Sequence, residues 1–257
     1  MASSVDDLVA LSRNLGKPEL NLAIIGEGNT SLRVDEKSFW IKASGKQLNN
    51  ISSDGFVRVY FQPILALFDD PPLTLTQERE SMRAARVNAL DTIYPSVETT
   101  FHAMLLKECD VTCIAHTHPI AVNRLLCSNN AELFARRRMF PDEIVLCGPE
   151  SVFVPYVDPG LPLAQAIQER VRAYMAKYGE APRMILLANH GLITLGKTTT
   201  EAFNVTLMAV KAAEILFGAL CSGTPQFLSE EEVRHIYRRP DEIYRRKMFA
   251  ANPGESA

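Results

Sequence analysis

Val111-Thr112-Cys113-Ile114-Ala115-His116-Thr117-His118-Pro119 is the most informative segment of the chain: an apolar strand that ends in two histidines and a proline. Strand side chains alternate between faces, so His116 and His118 project to the same side about 6 to 7 Å apart, within reach of one metal ion at about 2 Å per ligand. Pro119 has no N–H with which to continue a ladder, so the strand stops there and both rings stand at a sheet rim. A third histidine appears in Asn189-His190-Gly191, directly after the apolar run at 184–188. Three neutral imidazoles suit a borderline-soft divalent ion such as Zn²⁺, and three ligands leave a coordination position open. Each piece also has a plainer reading, the H-x-H pair as two hydrogen-bonded histidines and N-H-G as a turn. The convergent reading is favoured because three of the chain's five histidines stand at the ends of apolar strands.

Working outward, strand-like and helical patterns interleave with no linker, repeat or low-complexity tract, which predicts one α/β domain over residues 1–257. Residues 4–15 read as a helix stopped by Gly16, and 22–25, 31–34, 39–43 and 56–60 as short strands. A helix starting near Thr76 and ending before Tyr94-Pro95, and another over 96–108, precede the strand at 111–116. Beyond Pro119 the pattern predicts a helix, strands at 144–146 and 152–154, a helix at 163–178 and a buried strand at 184–188. Thr198-Thr199-Thr200-Glu201 caps a long helix with Ala202, Val205, Ala209, Ala212 and Leu216 on one face. Two Arg-rich helices, 229–238 and 240–249, present a solvated face or a subunit contact, and the last residues, 252–257, are expected to be disordered.

Composition narrows the function classes. With 27 Lys+Arg against 30 Asp+Glu the net charge is −3, too balanced for the basic face that sequence-independent nucleic-acid binding requires. No apolar run is read as approaching the roughly 20 residues needed to cross a bilayer, and the N-terminus carries Asp6-Asp7 instead of a basic leader. The expectation is a soluble cytoplasmic protein that binds neither nucleic acid nor membrane. Five scattered cysteines show no C-x-x-C pair and read as reduced core residues.

Glu98 opens the helix that precedes the histidine strand, where a carboxylate either complements the helix dipole or reaches the same rim as a base for a carbon acid. His102, one turn on, shares its face and reads as a supporting or packing residue more than a ligand. Gly26-Glu27-Gly28-Asn29-Thr30-Ser31 lacks the third glycine and the following helix of a dinucleotide fingerprint. A turn rich in amides and hydroxyls still suits a monophosphate, and Ala43-Ser44-Gly45-Lys46 is a second such turn with a cation. Each is equally a plain turn.

In order along the chain, G-E-G-N-T-S, K-A-S-G-K, S-V-E-T-T-F-H, H-T-H-P, V-P-Y and N-H-G-L-I resemble the class II aldolase/adducin family over roughly residues 8–218. The resemblance implies a three-layer α/β/α domain around a central, largely antiparallel sheet, assembled as a homotetramer with active sites at subunit boundaries; the helices over 229–249 would follow that core. It implies that His116, His118 and His190 bind a divalent metal, usually zinc, and that Glu98 is the acid/base. Asn29, Ser44, Gly45 and Ser96 match phosphate-loop positions, with Lys46 as a neighbouring cation, and Tyr156 matches a tyrosine that exchanges a proton with the aldehyde oxygen. The implied activity is cleavage of a ketose 1-phosphate, or a related sugar acid or phosphate, through an enediolate. Epimerisation, dehydration and decarboxylation belong to the same chemistry. A non-catalytic, adducin-like interaction domain is the rival from another class, and it predicts lost ligands. One departure is Ser96-Val97, where fuculose-type aldolases have two adjacent hydroxyl residues, so one phosphate contact is missing. Tyr237 and Tyr244 are candidates to reach a neighbouring subunit's site.

Overall fold

A computed structural model of the chain describes residues 4–69 and 74–250. The first half comprises α1 (Val5–Leu15), β1 (Asn29–Arg33), β2 (Ser38–Lys42), β3 (Phe56–Tyr60), α2 (Phe61–Leu65), α3 (Leu75–Ala84), α4 (Thr99–Glu108) and β4 (Cys113–Thr117). Then follow α5 (Ile120–Leu126), α6 (Ala131–Arg136), α7 (Pro141–Cys147), β5 (Val152–Val154), α8 (Leu161–Tyr178), β6 (Met184–Leu187) and β7 (Gly191–Gly196). Three helices close the chain: α9 (Thr199–Ser222), α10 (Glu230–Arg238) and α11 (Pro240–Ala250).

The strands form one sheet in the order β3-β2-β1-β4-β7-β6-β5, antiparallel throughout except for the β5–β6 pair. Strand alternation divides the core in two. Ile41, Val57, Ile114, Ile185 and Leu187 face the layer of α4 and α8, whereas Leu32, Cys113, Ala115, Met184 and Leu186 face the layer of α1, α5 and α9. The three-layer, largely antiparallel architecture is therefore the observed one. α10 and α11 pack outside it against α7 and α9, tied by Arg245 to Asp142 at 2.8 Å and by Asn204 Nδ2 donating to the Phe249 carbonyl at 2.9 Å.

Several elements differ from the sequence expectation for identifiable reasons. Residues 22–25 form a loop, with Ile24 and Ile25 exposed and Ile25 at φ 52°. Both edges of β1 are already paired, with β2 and β4, so no lateral position beside it is open to a further strand. The apolar run at 144–146 lies within α7, where Pro141 in the first turn, Asp142 and Glu143 behind it and Gly148 at φ +85° supply start and stop signals stronger than its β-branched residues. The expected helix ending before Tyr94 is only α3, capped by Thr74, and α4 starts at Thr99, after Glu98 as N-cap. α2, α6 and β7 are additional elements.

Among the described cysteines, Cys109, Cys113 and Cys147 are buried, but Cys127 and Cys221 are exposed. α9 is, by length and composition, apolar enough to cross a membrane. It carries Glu201, Lys211 and Glu214, and its apolar face packs on the sheet through Ala202, Val205, Ala209, Ala212 and Leu216. The tail at 252–257 lies outside the described residues.

Candidate metal centre

Because β4 and β7 are antiparallel, with His116 opposite Ile193 and Thr117 opposite Leu192, the end of β4 and the residue preceding β7 meet at one rim of the sheet. The rings of His116, His118 and His190 stand there with centroids 4.8, 4.9 and 5.0 Å apart, a nearly equilateral triangle. One ligating atom from each lies within 4.8 Å of the other two. His116 Nδ1 donates to the Leu192 carbonyl at 3.0 Å, and since a carbonyl only accepts, the neutral ring presents a bare Nε2. That lone pair faces His118 Nε2 at 3.0 Å, a contact that needs a proton on His118 or a cation between them. His190 Nδ1 is buried without a hydrogen-bond partner.

Burial first, then the neighbouring imidazoles, pushes the His116 pKa well below its ordinary 6.5. Burial lowers that of His190 too, opposed in part by the Glu98 carboxylate. Converging imidazoles, one with an orphaned nitrogen, are the donor set a divalent cation requires. Such a ion would be held by His116, His118 and His190.

Two glycines make the approach possible. At Gly191 an added Cβ would lie 2.6 Å from the Thr117 carbonyl and 2.7 Å from His118 Cδ2. At Gly28, which has φ +67°, it would lie 2.5 Å from the His116 carbonyl.

Glu98 is the N-cap of α4, but its side chain makes no capping bond. The carboxylate turns instead to the rim, 3.4 Å from His116 Nε2 and 3.3 Å from His190 Nε2, with a side-chain exposure of 9 %. Asn29 Nδ2 donates to it at 2.6 Å and to Ser96 Oγ at 3.1 Å. With its amide so oriented, Asn29 Oδ1 accepts from His102 Nε2, and His102 Nδ1 accepts from Ser31 Oγ at 2.7 Å. His102, fully buried and held neutral by burial, therefore anchors the oxygen end of the Asn29 amide that Glu98 orients. Ser31 completes this chain; its place on β1 beside Asn29 is the only sequence signal for it.

The two polar turns come together as well. Ala43 bridges Pro95, Ser44 N–H donates to the Tyr94 carbonyl at 2.9 Å, and Ser96 N–H donates to the Lys42 carbonyl at 3.2 Å. Ser44 and Gly45 are consequently exposed beside the segment that carries Ser96 and Glu98. Lys46 points toward Asp54, 4.0 Å away. Sequence reasoning missed Lys42: it is buried, and its ammonium donates to the carbonyls of Gly26 (3.3 Å) and Lys46, joining the two turns. Burial lowers its pKa to about 8, against the pull of Glu98. The detectable signal was a lysine inside the apolar strand pattern Phe39-Trp40-Ile41.

Tyr156 is not brought to this cluster. It follows β5, three places from β4 in the sheet, is 57 % exposed, and its hydroxyl donates to Asp158 at 2.9 Å. Tyr244 is exposed on α11, and Tyr237 contacts Glu180 and Arg183.

Residues 6–217 match the family described as Class II Aldolase and Adducin N-terminal domain. An uncharacterized oxidoreductase of Bacillus subtilis, YuxG, is 28 % identical over 223 residues; the match covers 83 % of this chain, which spans only 30 % of that relative's length. The 3-oxo-tetronate 4-phosphate decarboxylase of Haemophilus influenzae is 26 % identical over 223 residues, covering 86 % of this chain and 90 % of the relative. Among solved structures, the N-terminal class II aldolase domain of a conserved Thermoplasma acidophilum protein superposes with a TM-score of 0.67 at 27 % identity, over 84 % of this chain and 95 % of that one.

Proposed function

The chain belongs to the class II aldolase and adducin family, and from that premise we propose that it is a zinc-dependent carbon–carbon lyase acting on a phosphorylated sugar or sugar acid. The observation that carries the reading is the triangle of His116, His118 and His190 with the Glu98 carboxylate 3.3 to 3.4 Å from two of its members. An adducin-like module without chemistry has no need of that set.

When bound, a divalent cation supplies an electrophile for the negative charge that develops on the substrate oxygens, worth several kcal/mol. The remaining work falls to the chain. Ser44, Gly45 and Ser96 receive the phosphate, with Lys42 and Lys46 as nearby positive charges. Asn29, fixed by His102, holds one oxygen of Glu98 and leaves the carboxylate aimed at the rim, where it gives a proton to the enediolate carbon or takes one from it. Val97 stands, 39 % exposed, where a second hydroxyl would contact phosphate.

Two bond cleavages yield the same enediolate: aldol cleavage of a ketose 1-phosphate, and decarboxylation of a 2-hydroxy-3-oxo acid 4-phosphate. Aldol cleavage needs a group to take the proton from the hydroxyl that becomes the aldehyde, whereas decarboxylation does not. Likeness to the Haemophilus influenzae relative favours decarboxylation. The test is incubation of Zn²⁺-loaded protein with both substrate classes. Glycerone phosphate is expected, accompanied by carbon dioxide from the oxo acid; an aldehyde co-product would establish aldol cleavage instead. Turnover of neither class, with metal bound, would refute the lyase assignment. Light scattering in solution tests the expected homotetramer.

A further inference from the structure

At the other end of the sheet from the imidazoles lies a cavity of about 890 Å³ between the body of the protein and α10 and α11. Its walls include Arg183 just before β6 and Lys197 just after β7, a strand's length, roughly 15 Å, from the His190 end. The lining carries ten lysines and arginines against four glutamates.

Three of the four acids are already engaged, and the fourth, Glu230, stands one turn before Arg234 on α10. Glu150 pairs with Lys177 at 3.0 Å and Arg136 at 3.5 Å, Glu201 pairs with Arg183 at 2.5 Å, and Glu180 bonds to Tyr237. Arg138 is satisfied by Glu143, Ser151 and backbone carbonyls. Among the described residues, Arg137, Arg234, Arg238, Arg246 and Lys247 form no ion pair, although all five line the cavity. They come from three different segments: the residue after α6, helix α10 and helix α11.

Arg234 and Arg238 are one turn apart on α10, a like-charge spacing that Glu230, one turn before Arg234, partly offsets. Arg246 donates to the Tyr237 carbonyl at 2.8 Å and lies over the Tyr237 ring at 4.0 Å, so its guanidinium is held in place. Cations without ion-pair partners gathered along one half-open cavity, four of the five exposed, create a positive local potential that attracts an anion. The volume falls within the range of small-molecule sites, ~300–1,000 Å³, and guanidinium forks match phosphate oxygens bidentately.

We propose that the cavity under α10 and α11 binds a small molecule bearing several phosphate groups, separate from the substrate site. A single phosphate or carboxylate leaves most of the five cations uncompensated. A chain of net charge −3 lacks the extended basic face that a nucleic acid or a membrane surface requires.

The test is calorimetric titration of metal-loaded wild-type protein at physiological ionic strength with inorganic tripolyphosphate, ATP and inositol hexakisphosphate, using inorganic phosphate as reference. Saturable one-to-one binding of at least one polyphosphate is expected, at least about tenfold tighter than phosphate. The double variant Arg234→Gln/Arg238→Gln should lose at least about tenfold in that affinity. Its melting temperature without ligand should stay near the wild-type value, because both side chains are exposed and form no ion pair, which separates loss of a site from loss of the fold. Lys46→Ala, in the substrate turn, should bind the polyphosphate normally. ATP alone binding would indicate a nucleotide, and tripolyphosphate and inositol hexakisphosphate binding as well would indicate recognition of phosphate alone; both support the site. Absence of saturable binding, equal affinity for phosphate, indifference to the double variant or loss of binding in Lys46→Ala would each overturn the proposal.

Discussion

The chain of hydrogen bonds from Ser31 through His102 and Asn29 to Glu98 makes a prediction whose size follows from burial. His102→Phe preserves a flat ring of similar volume, and with it the stacking on Phe101 at 4.6 Å, but removes both ring nitrogens. Asn29 Oδ1 and Ser31 Oγ, both in buried residues, then lose this partner. Stranding a buried polar group costs about 1–3 kcal/mol, so the pair costs about 2–6 kcal/mol, a large part of a typical stability of about 5–15 kcal/mol. For a chain of this length, at about 2–4 °C per kcal/mol, that corresponds to a fall in melting temperature of roughly 4–24 °C. The functional consequence is separate: with no donor facing Oδ1, the Asn29 amide is free to rotate and Glu98 loses its fixed partner at 2.6 Å. Misplacement of a catalytic group by about 1 Å costs on the order of 100-fold in rate, so kcat should drop by about that factor with zinc content unchanged. His102→Gln, which retains a donor and an acceptor, should recover part of both losses. Calorimetry, metal analysis and turnover corrected for folded fraction provide the readouts. Were His102→Phe to melt early yet turn over substrate normally per folded molecule, the network would be structural alone and Glu98 would be positioned by something else.

Three further outcomes are expected. Glu98→Gln should retain its zinc and lose about 10²–10⁴-fold in turnover, as measured by product formation and metal analysis on one preparation; near-normal turnover counts against its role as acid/base. Metal-free protein should lose thermal stability as pH falls below about 6.5, because the unfolded chain protonates its histidines there while buried His102 and His116 resist; the contribution is flat above that pH and declines toward the lower folded values. A melting temperature that rises on acidification contradicts this. Of the five thiols, native protein should react quickly through two, Cys127 and Cys221, whereas Cys109 and Cys147, pushed up to about 12 by burial, and the buried Cys113 react only on unfolding; a chromogenic disulfide reagent counts them.

What was legible in the sequence followed physical periodicities. Alternation along Ile114-Ala115-His116 and the proline stop at 119 place the histidine pair at a rim, and the structure brings His190 to the same rim. Thr198 and Ser229 cap the helices expected after them. The errors arose where local composition and tertiary context disagree. Leu22-Ala23-Ile24-Ile25 has strand-like residues, but its Leu22 carbonyl accepts from the His118 N–H at 2.8 Å, so the segment is a support for the metal rim and not a strand. β7 was missed because two glycines bracket a short apolar run that, without its partners, is indistinguishable from the end of the preceding strand.

The most consequential information absent from local sequence is the direction of hydrogen bonds. Asn29 occupies a turn that suggests anion binding, and in the structure its amide nitrogen is committed to Glu98 and Ser96. That commitment is set by the Glu98 carboxylate, which only accepts, and it leaves Asn29 Oδ1 to accept from His102, 73 residues away. A phosphate reaching this turn therefore meets Ser44, Gly45 and the Lys42–Lys46 pair of cations more readily than the Asn29 side chain. Asn29 then acts on the proton-transferring carboxylate, and substitution there should reduce kcat more than it raises the KM for a phosphorylated substrate. The opposite split, a raised KM at unchanged kcat, would return Asn29 to the phosphate turn and remove the His102 chain from catalysis.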